Sequence, residues 1–386
     1  MNSQVVSSIL VVGAGTMGHG IAEVAAINGY KVFLVDVAES ILDRAKEKMF
    51  ESLQVLRGKN VVKEDVRHVL SRIKLSTSLE ESSREADMMI ESVPEKIELK
   101  REIFERVEGV INREAILATN TSSIPISEIA SSTKREDKVI GTHFFNSPIT
   151  TKSVEVIKGS KTSEDTLRRT LNVLNAMRKV SILVKKDAPG FISSRIYMRL
   201  VEEACREVEE GEYTMREIDN TLIRSVGFPM GIFELMDYTG IDTVYLIIKE
   251  MKSRGFKIRE CKTIENLLES GDKGVKTGKG FYSYTPMGKL TMENVELKNT
   301  VEVEKVLSSS INEASSLIQQ GVASKYEIDL VTKLGFNFKA GLLEIADRLD
   351  MKKLYNHLIS LYERGQTQYK PTEILSDMVE NGLKFY

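Results

Sequence analysis

His143 and Glu155 stand twelve residues apart in a chain with four histidines. An imidazole that titrates near neutrality can take a proton from an alcohol and give it back. A carboxylate on its far nitrogen would hold the ring and favour its cation. The stretch that contains both, THFFNSPITTKSVEVI, reads as strand, turn, strand, because Asn146, Ser147 and Pro148 separate two apolar runs. By residue type alone the pair fits a polar histidine at a strand end better than a catalytic base, because His–Glu pairs are common. The remainder of the chain has to decide between the two.

A second group of residues is suited to holding phosphate. Gly13, Gly15 and Gly18 fall in G-x-G-x-x-G spacing within GAGTMG. They follow an apolar run, SILVV, and open a stretch with helical spacing. In that setting Gly13 permits a tight turn and Gly15 lets backbone approach a pyrophosphate. Gly18 lets helix pack on strand, and the helix N-terminus offers unpaired N–H groups. The loop that would bind the cofactor is therefore Gly13, Ala14, Gly15, Thr16, Met17 and Gly18. Asp36 ends the next apolar run, 18 residues after Gly18, with VAES following and no arginine directly behind it. Its carboxylate can accept both ribose hydroxyls and would repel a 2′-phosphate, so the expected cofactor is NAD rather than NADP.

These residues need a frame, and the sequence supplies one. The 386 residues are 41% apolar and 28% charged, which fits a globular protein of two or three domains. A net charge of −2 gives no field that would select nucleic acid or an anionic membrane. No apolar run is long enough to span a bilayer, and MNSQVVSSILVVGAG reads as a strand rather than a leader peptide. Cys205 and Cys261 have no CxxC spacing, which argues against a disulfide framework and a zinc site and fits a reducing cytosol. No residues have metal-ligand spacing, so no metal is expected.

SILVV and KVFLV flank a helical stretch that stops at Gly29, giving a βαβ unit. A charged helical stretch covers 39–72. ADMMIESV, EAILATNTSS, KVIGTHFF, VEVIKG and VSILVKK are further strands, so the first part is a doubly wound α/β domain. The pattern turns helical at KKDAPGF, where Asp187 can cap a helix and Pro189 suits its first turn. Ile192, Ile196 and Leu200 share one face of that helix. The helical part repeats itself: Glu203, Ala204, Gly211, Ile218 and Asp219 match Glu313, Ala314, Gly321, Ile328 and Asp329 at a spacing of 110 residues. FELMD matches LEIAD farther on, and KGFY matches LKFY. The expected domains are 1–186 (NAD-binding), 187–289 (helical) and 290–386 (a degenerate second copy of the helical domain).

Eight stretches in this order carry a resemblance: GAGTMGHGIA, ESVPEKIELK, NTSSIPISEIA, HFFN, KSVEVIKG, DAPGFISSR, GFPMGIFELMDYTG and KTGKGFYSY. Over about residues 8–284 the chain resembles the L-3-hydroxyacyl-CoA dehydrogenase family, including its 3-hydroxybutyryl-CoA members. The remainder resembles the second helical copy of multifunctional fatty-acid oxidation proteins, whose enoyl-CoA hydratase part it lacks. The resemblance implies a Rossmann-type domain followed by duplicated helical domains, and NAD-dependent, reversible oxidation of a short (S)-3-hydroxyacyl-CoA in fatty-acid β-oxidation chemistry. His143 would be the general base and Glu155 its partner. Ser122 would bond the substrate oxygen and approach the nicotinamide. Asn146 would lie on the nicotinamide ribose side, Glu95 and Lys100 would touch the cofactor, and Lys276 would reach it from the helical domain. Ser52 and Lys59 would contact CoA. Without the resemblance, Ser122 reads as a turn residue, Glu95 and Lys100 as a charged pair at a helix start, and Ser52 and Lys59 as a solvated helix face.

Two departures touch the acyl-binding wall. Ser194 precedes Arg195 where the family usually has asparagine contacting the substrate carbonyl, and Ser147 stands before Pro148 where proline usually follows HFFN directly. They leave chain length open. His19 belongs to the Gly-loop helix and cannot reach a reaction centre. His68 and His357 lie in charged helical stretches and are expected to be exposed, and Tyr282 and Tyr284 are expected to pack. The second helical copy can take the place of a partner subunit's domain. That gives a monomer with an intramolecular pseudo-dimer, or a homodimer, in the cytoplasm, with acyl-CoA as the partner and neither nucleic acid nor membrane. Two other functions share the scaffold: an NAD-dependent dehydrogenase of free hydroxy acids or sugar acids, and an NAD-binding protein without turnover.

Overall fold

The computed structural model describes residues 5–291 and 301–386. Residues 1–4 of the N-terminal stretch, and 292–300 at the expected start of the second helical copy, lie outside the described residues. The chain divides after Ala188 into two compact units.

The first unit is built on one eight-stranded sheet in the order β3-β2-β1-β4-β5-β6-β7-β8. The strands are β1 (Ser8–Val12), β2 (Lys31–Val35), β3 (Ile73–Ser76), β4 (Met88–Glu91), β5 (Ile116–Thr119), β6 (Val139–Phe144), β7 (Ser153–Lys158) and β8 (Val180–Val184). Its helices are α1 (Thr16–Ile27), α2 (Glu39–Gly58), α3 (Val66–Ser71), α4 (Leu79–Ser83), α5 (Ile97–Glu108), α6 (Ile126–Ala130) and α7 (Glu164–Ala176). The first six strands run parallel in the 3-2-1-4-5-6 order of a dinucleotide-binding sheet. β7 is antiparallel to β6, as the Asn146–Pro148 turn requires, and β8 is parallel to β7. β1, β4 and β5 are wholly buried, which is why they read as unbroken apolar runs. The charged stretch expected to be helical over 39–72 is interrupted between α2 and α3, and β3, which was not expected, follows directly after it. It pairs with β2 alone and is only half buried, so its sequence, IKLS, carries little apolar signal.

The second unit is helical: α8 (Ser193–Glu209), α9 (Met215–Thr221), α10 (Ile232–Thr239), α11 (Ile241–Ser253), α12 (Lys262–Glu269), α13 (Val303–Gln319), α14 (Lys325–Leu334), α15 (Leu342–Ala346), α16 (Met351–Glu363) and α17 (Glu373–Asn381). Ile192, Ile196 and Leu200 are buried along α8, as their spacing requires. Asp187 does not cap α8. Its carboxylate accepts from the Ile126 and Ser127 N–H groups at 2.8 Å each, the first turn of α6.

One arrangement occurs twice in this unit. Asp219 accepts from Phe233 N and Glu234 N, and Asp329 from Leu343 N and Glu344 N. Asp237 accepts from Phe281 N and Tyr282 N, and Asp347 from Phe385 N and Tyr386 N. Tyr282 closes back on Asp219 at 2.9 Å, and Tyr386 on Asp329 at 3.0 Å. Each aspartate, buried in three cases and half-buried at Asp347, meets helix-start or loop N–H groups that would otherwise have no acceptor. Gly231 and Gly341, which stand at the same spacing of 110 residues, are explained by the same contacts: a Cβ on either would lie 2.0 or 2.1 Å from the aspartate side chain. Between the two arrangements α8 packs against α13. Glu313 accepts from Arg195 Nε at 2.6 Å and Arg199 Nε at 3.0 Å, and the Phe228 and Phe338 rings stack 3.6 Å apart.

Two expectations are corrected here. Cys205 and Cys261 are joined in a disulfide, with Cα atoms 5.8 Å apart across a sequence separation of 56. Spacing could not reveal this, because the pair forms only once α8 lies beside the start of α12. With it goes the argument from separate thiols for a reducing compartment. His357 is not an exposed helix residue: its side chain is 12% exposed and its Nε2 lies 2.8 Å from Glu203 Oε1. Among the described residues no helix is long and apolar enough to cross a membrane.

Candidate active site

The loops that follow β1, β2, β4, β5 and β6 at their C-terminal ends carry many of the candidate residues of the first unit, the usual place for a ligand in such a sheet. After β1 the chain turns at Gly13, whose φ is +97°. A Cβ there would meet Ser92 O at 2.6 Å, and one on Gly18 would meet Gly13 O at 1.7 Å, so both positions admit only glycine. A Cβ on Gly15 would meet nothing within 4 Å, which leaves the face of the loop open to a phosphate. Gly15 precedes α1, and the first helical bond is His19 N to Gly15 O. The N–H groups of Thr16, Met17 and Gly18 are thus directed outward from the helix start. Asp36 follows β2 and turns its carboxylate to the loop, accepting from Ala14 N at 2.7 Å. These features fit a dinucleotide. His19 Nδ1 lies 2.7 Å from Gly15 O within its own helix, and burial holds its pKa below the usual imidazole range.

His143 and Glu155 are direct cross-strand partners in the β6–β7 register. Cross-strand neighbours project to the same face, so a twelve-residue separation in sequence becomes a contact. Nδ1 of His143 lies 2.7 Å from Glu155 Oε2, and the glutamate is fully buried. An ionised carboxylate only accepts, so Nδ1 carries the proton and Nε2 keeps a lone pair in the neutral ring. Ser122 Oγ lies 3.1 Å from that Nε2. Ser122 follows β5, and α6 after it is capped by Asp187. A histidine held from behind by a buried carboxylate, with a hydroxyl on its front nitrogen, can exchange a proton with an oxygen placed beside both.

The other expected residues lie as follows. Asn146 is partly exposed in the loop between β6 and β7. Lys179 Nζ donates to the Pro148 and Thr151 carbonyls of that loop, and burial lowers its pKa to about 8. Glu95 and Lys100 are buried among the groups around the Ser122 loop, and Glu91, which sequence reading passed over as a strand residue, is buried with them. Ser52 is half-buried on α2, and Lys59 is exposed at its C-terminal cap. Ser52 hydrogen-bonds Glu23 of α1, a buried carboxyl that was also not anticipated. Ser194 and Lys276 belong to the second unit. Ser194 is buried in the first turn of α8, and Lys276 Nζ donates to Asp242 Oδ1 at 2.7 Å. His68 is exposed beside Glu64. Tyr282 and Tyr284 are anchored on Asp219 and Asp237. Among the described residues Glu203, Glu207 and His357 could together face a metal ion, a grouping that spacing did not show. Arg206 already donates to both carboxylates, so the cation of this cluster is a guanidinium.

The family model for the 3-hydroxyacyl-CoA dehydrogenase NAD-binding domain matches residues 8–188, and that for the C-terminal domain matches residues 190–284 and 303–384. The mitochondrial hydroxyacyl-coenzyme A dehydrogenase of Homo sapiens is 36% identical over 289 residues, covering 72% of this chain and 92% of that one. A probable 3-hydroxybutyryl-CoA dehydrogenase of Bacillus subtilis is 38% identical over 285 residues, covering 72% of this chain and 98% of its own length. The crystal structure of 3-hydroxybutyryl-CoA dehydrogenase from Escherichia coli K12 superposes with a TM-score of 0.82 at 24% identity, covering 98% of this chain and all of that one, and so shares its fold. With both of its domain models matched in order along the chain, this protein belongs to the 3-hydroxyacyl-CoA dehydrogenase family and is an NAD-dependent oxidoreductase.

Proposed function

We propose that the protein interconverts a short-chain (S)-3-hydroxyacyl-CoA, such as 3-hydroxybutyryl-CoA, and its 3-ketoacyl-CoA. The observation that carries this reading is the line Glu155–His143–Ser122, with Nδ1 on the carboxylate at 2.7 Å and Nε2 at 3.1 Å from the hydroxyl. NAD bound at the Gly loop supplies the two-electron hydride acceptor. The residues of the chain handle the proton. As C3 loses its hydride, His143 Nε2 takes the proton of the 3-hydroxyl, and the C–O bond becomes a carbonyl. Glu155 stabilises the resulting imidazolium and keeps Nε2 pointed at the oxygen. Ser122 donates to the same oxygen, which fixes the substrate between the two groups. In the reverse direction the imidazolium returns the proton. Short acyl length follows the name of the Bacillus subtilis relative. Asn146, Ser52, Lys59, Ser194 and Lys276 are assigned to cofactor or substrate by family position.

The domain reading is part of the same proposal: residues 1–186 bind NAD, 187–289 form the helical domain and 290–386 its second copy. The paired aspartate–tyrosine anchors support it. With the second copy in place of a partner subunit, the chain would be a monomer, and light scattering would distinguish one chain mass from two. The activity test is NADH consumption with acetoacetyl-CoA beside free acetoacetate. Turnover of the thioester is expected. Turnover of the free acid alone would replace this reading with that of a hydroxy-acid dehydrogenase.

A further inference from the structure

The turn between β6 and β7 is held by a buried cation that has no part in the proton chemistry above. The end of α7 sets that cation in place. Arg178 takes a left-handed backbone, with φ +59°, and Lys179 N turns back to Leu174 O at 2.9 Å. Val180 N then bonds Lys152 O at 2.8 Å and the chain enters β8. Lys179 is buried between these two anchors. Its Nζ donates to Thr151 O at 2.6 Å and to Pro148 O. No backbone N–H among the described residues bonds either carbonyl, and a carbonyl in the interior needs a donor. Burial is the sole cause of the lowered pKa of Lys179, so no carboxylate beside it offsets the loss of water. A buried cation without a counter-charge opposes folding. Its charge goes into bonds to two carbonyls of one turn, each about twice as strong as a neutral bond.

The two carbonyls bracket a turn that is already closed on itself. Ser147 O accepts from Thr150 N at 3.1 Å and from Thr151 N at 3.0 Å. Thr151 Oγ1 lies 2.8 Å from Ser147 O and 3.1 Å from Phe145 O. Lys179 therefore fixes the turn as one piece. The turn meets the dinucleotide loop through Pro148: a Cβ on Gly20 of α1 would lie 3.0 Å from Pro148 Cδ, so the proline ring rests on the helix that opens at Gly15. Asn146 belongs to the same turn and follows the end of β6, the strand that carries His143. This is also where Ser147 precedes Pro148, the departure from the usual family spacing.

We propose that Lys179 is a positioning residue for the dinucleotide site: through Pro148 O and Thr151 O it holds the β6–β7 turn against α1, and so holds Asn146 where the nicotinamide ribose would lie. The part of Asn146 in cofactor binding rests on the function proposed above, whereas the hold of Lys179 on the turn does not. Two measurements keep these apart. Lys179→Met keeps a long unbranched side chain and removes the donor. Amide hydrogen exchange in the peptide covering 145–152 should become faster by about tenfold or more, with that of β1 unchanged, because exchange reports opening of the segment that opens. Exchange at the wild-type rate would overturn the proposal, and neither cofactor nor substrate is needed to see it.

The second measurement is a double-mutant cycle on NADH binding, followed by the fluorescence of the bound cofactor. Lys179→Met should weaken NADH binding by about fivefold or more while kcat at saturating NADH stays within about threefold, since the β6–β7 register still places Glu155 on His143. In an Asn146→Ala background the same substitution should cost less than about twofold more, because groups acting as a unit are not additive. A role in general stability alone predicts wild-type NADH affinity in the folded protein, or the same factor in both backgrounds, and either would overturn the proposal. Should Lys179→Met fail to fold, Lys179→Gln keeps N–H donors on a shorter, neutral side chain and is expected to show the same changes at smaller amplitude. Wild-type exchange in that variant would overturn the proposal equally. Faster exchange in Lys179→Met together with wild-type NADH affinity in Asn146→Ala would overturn the family assignment of Asn146 and leave the hold of Lys179 on the turn standing.

Discussion

Buried charge is handled in two ways in this molecule. In the sheet unit it gathers at the strand ends, where Glu91, Lys100, Glu95 and Glu155 hold one hydroxyl and one imidazole in register. In the helical unit it gathers on α8, α13 and α16, where Arg195 and Arg199 meet Glu313, and Arg206 and His357 meet Glu203. The first set places carboxylates against the backbone and hydroxyl groups of the Ser122 loop and against the His143 ring, the groups to which the proposed function gives the proton chemistry. The second pairs side chains within α8 and from α8 to α13 and α16, so its loss is expected to loosen the packing of these helices. Changes at the strand ends should therefore appear in kcat, and changes on the helices in stability.

The largest effect tests the first half of that contrast. His143→Gln removes the proposed general base and should lower kcat by roughly 10²–10⁴-fold, with NADH affinity and melting temperature nearly unchanged. Glu155→Gln should give a smaller loss, since the ring keeps its nitrogen but loses its anchor and the stabilisation of its cation. Full activity in Glu155→Gln would show that His143 acts without its strand partner. On the helical side, Glu313→Ala takes the paired carboxylate from the buried Arg195 guanidinium and one of two from Arg199, which keeps Glu202. It should cost about 3–5 kcal/mol of stability, as loss of one partner in a buried ion pair does. The kcat of the protein that remains folded should change little. A drop in kcat with unaltered melting would erase the contrast between the two regions.

How much of this could be read beforehand depends on how local each feature is. The Gly loop and the strands β1, β2, β4, β5 and β6 are written in contiguous residues, as apolar runs ending in turn formers. The His143–Glu155 contact is nearly local as well, because an antiparallel pair joined by one turn sets its own register. The buried cluster of Glu91, Lys100 and Glu95 was half visible. Glu95 and Lys100 were singled out, but a charged pair at a helix start looks the same whether it faces water or the next strand. Glu91 was lost inside an apolar run, where a wholly buried carboxylate is unexpected. The disulfide, the capping of α6 by Asp187 and the burial of His357 all depend on residues from about 60 to more than 150 positions apart. Such pairings are set by packing and leave no periodicity to detect. The repeat was legible for the opposite reason: the same aspartates serve the same N–H groups twice, so the same letters recur.

The disulfide offers a change on the helical side that touches no charge. Closing a loop with a sequence separation of 56 restricts the unfolded chain by about 4 kcal/mol in the chain-entropy treatment. Cys205→Ser with Cys261→Ser should therefore lower the melting temperature, and reductant should lower that of the wild type and leave the variant unmoved. Activity of the folded fraction should persist in both. Equal melting with and without reductant would mean that the bond contributes nothing to stability.

The smallest expected effect concerns Glu23, a strand-side carboxyl buried like Glu95 but with no cation beside it. It is 1% exposed on α1, its Oε1 has no hydrogen-bond partner, and Ser52 is the donor to the carboxyl. Burial, only partly offset by that bond, raises its pKa from 4.5 to about 7. The sign follows from proton binding. A carboxyl whose folded pKa lies above its unfolded value is protonated in the native state while already ionised in the unfolded one. It costs nothing below about pH 4.5, destabilises progressively as pH rises, and exerts its full cost above about pH 7. At about 1.4 kcal/mol per unit, the cost at high pH is of the order of 3 kcal/mol. His19, one turn earlier on α1, titrates with its pKa lowered by burial and opposes folding on the acid side. It is common to wild type and variant and cancels in their difference. Glu23→Gln keeps a neutral group of the same shape, so the two proteins should melt alike near pH 5 and diverge toward pH 8, with the variant the more stable. Parallel melting curves across that range would mean that Glu23 is ionised in the folded protein at neutral pH, and that a buried carboxylate here needs no cation of its own.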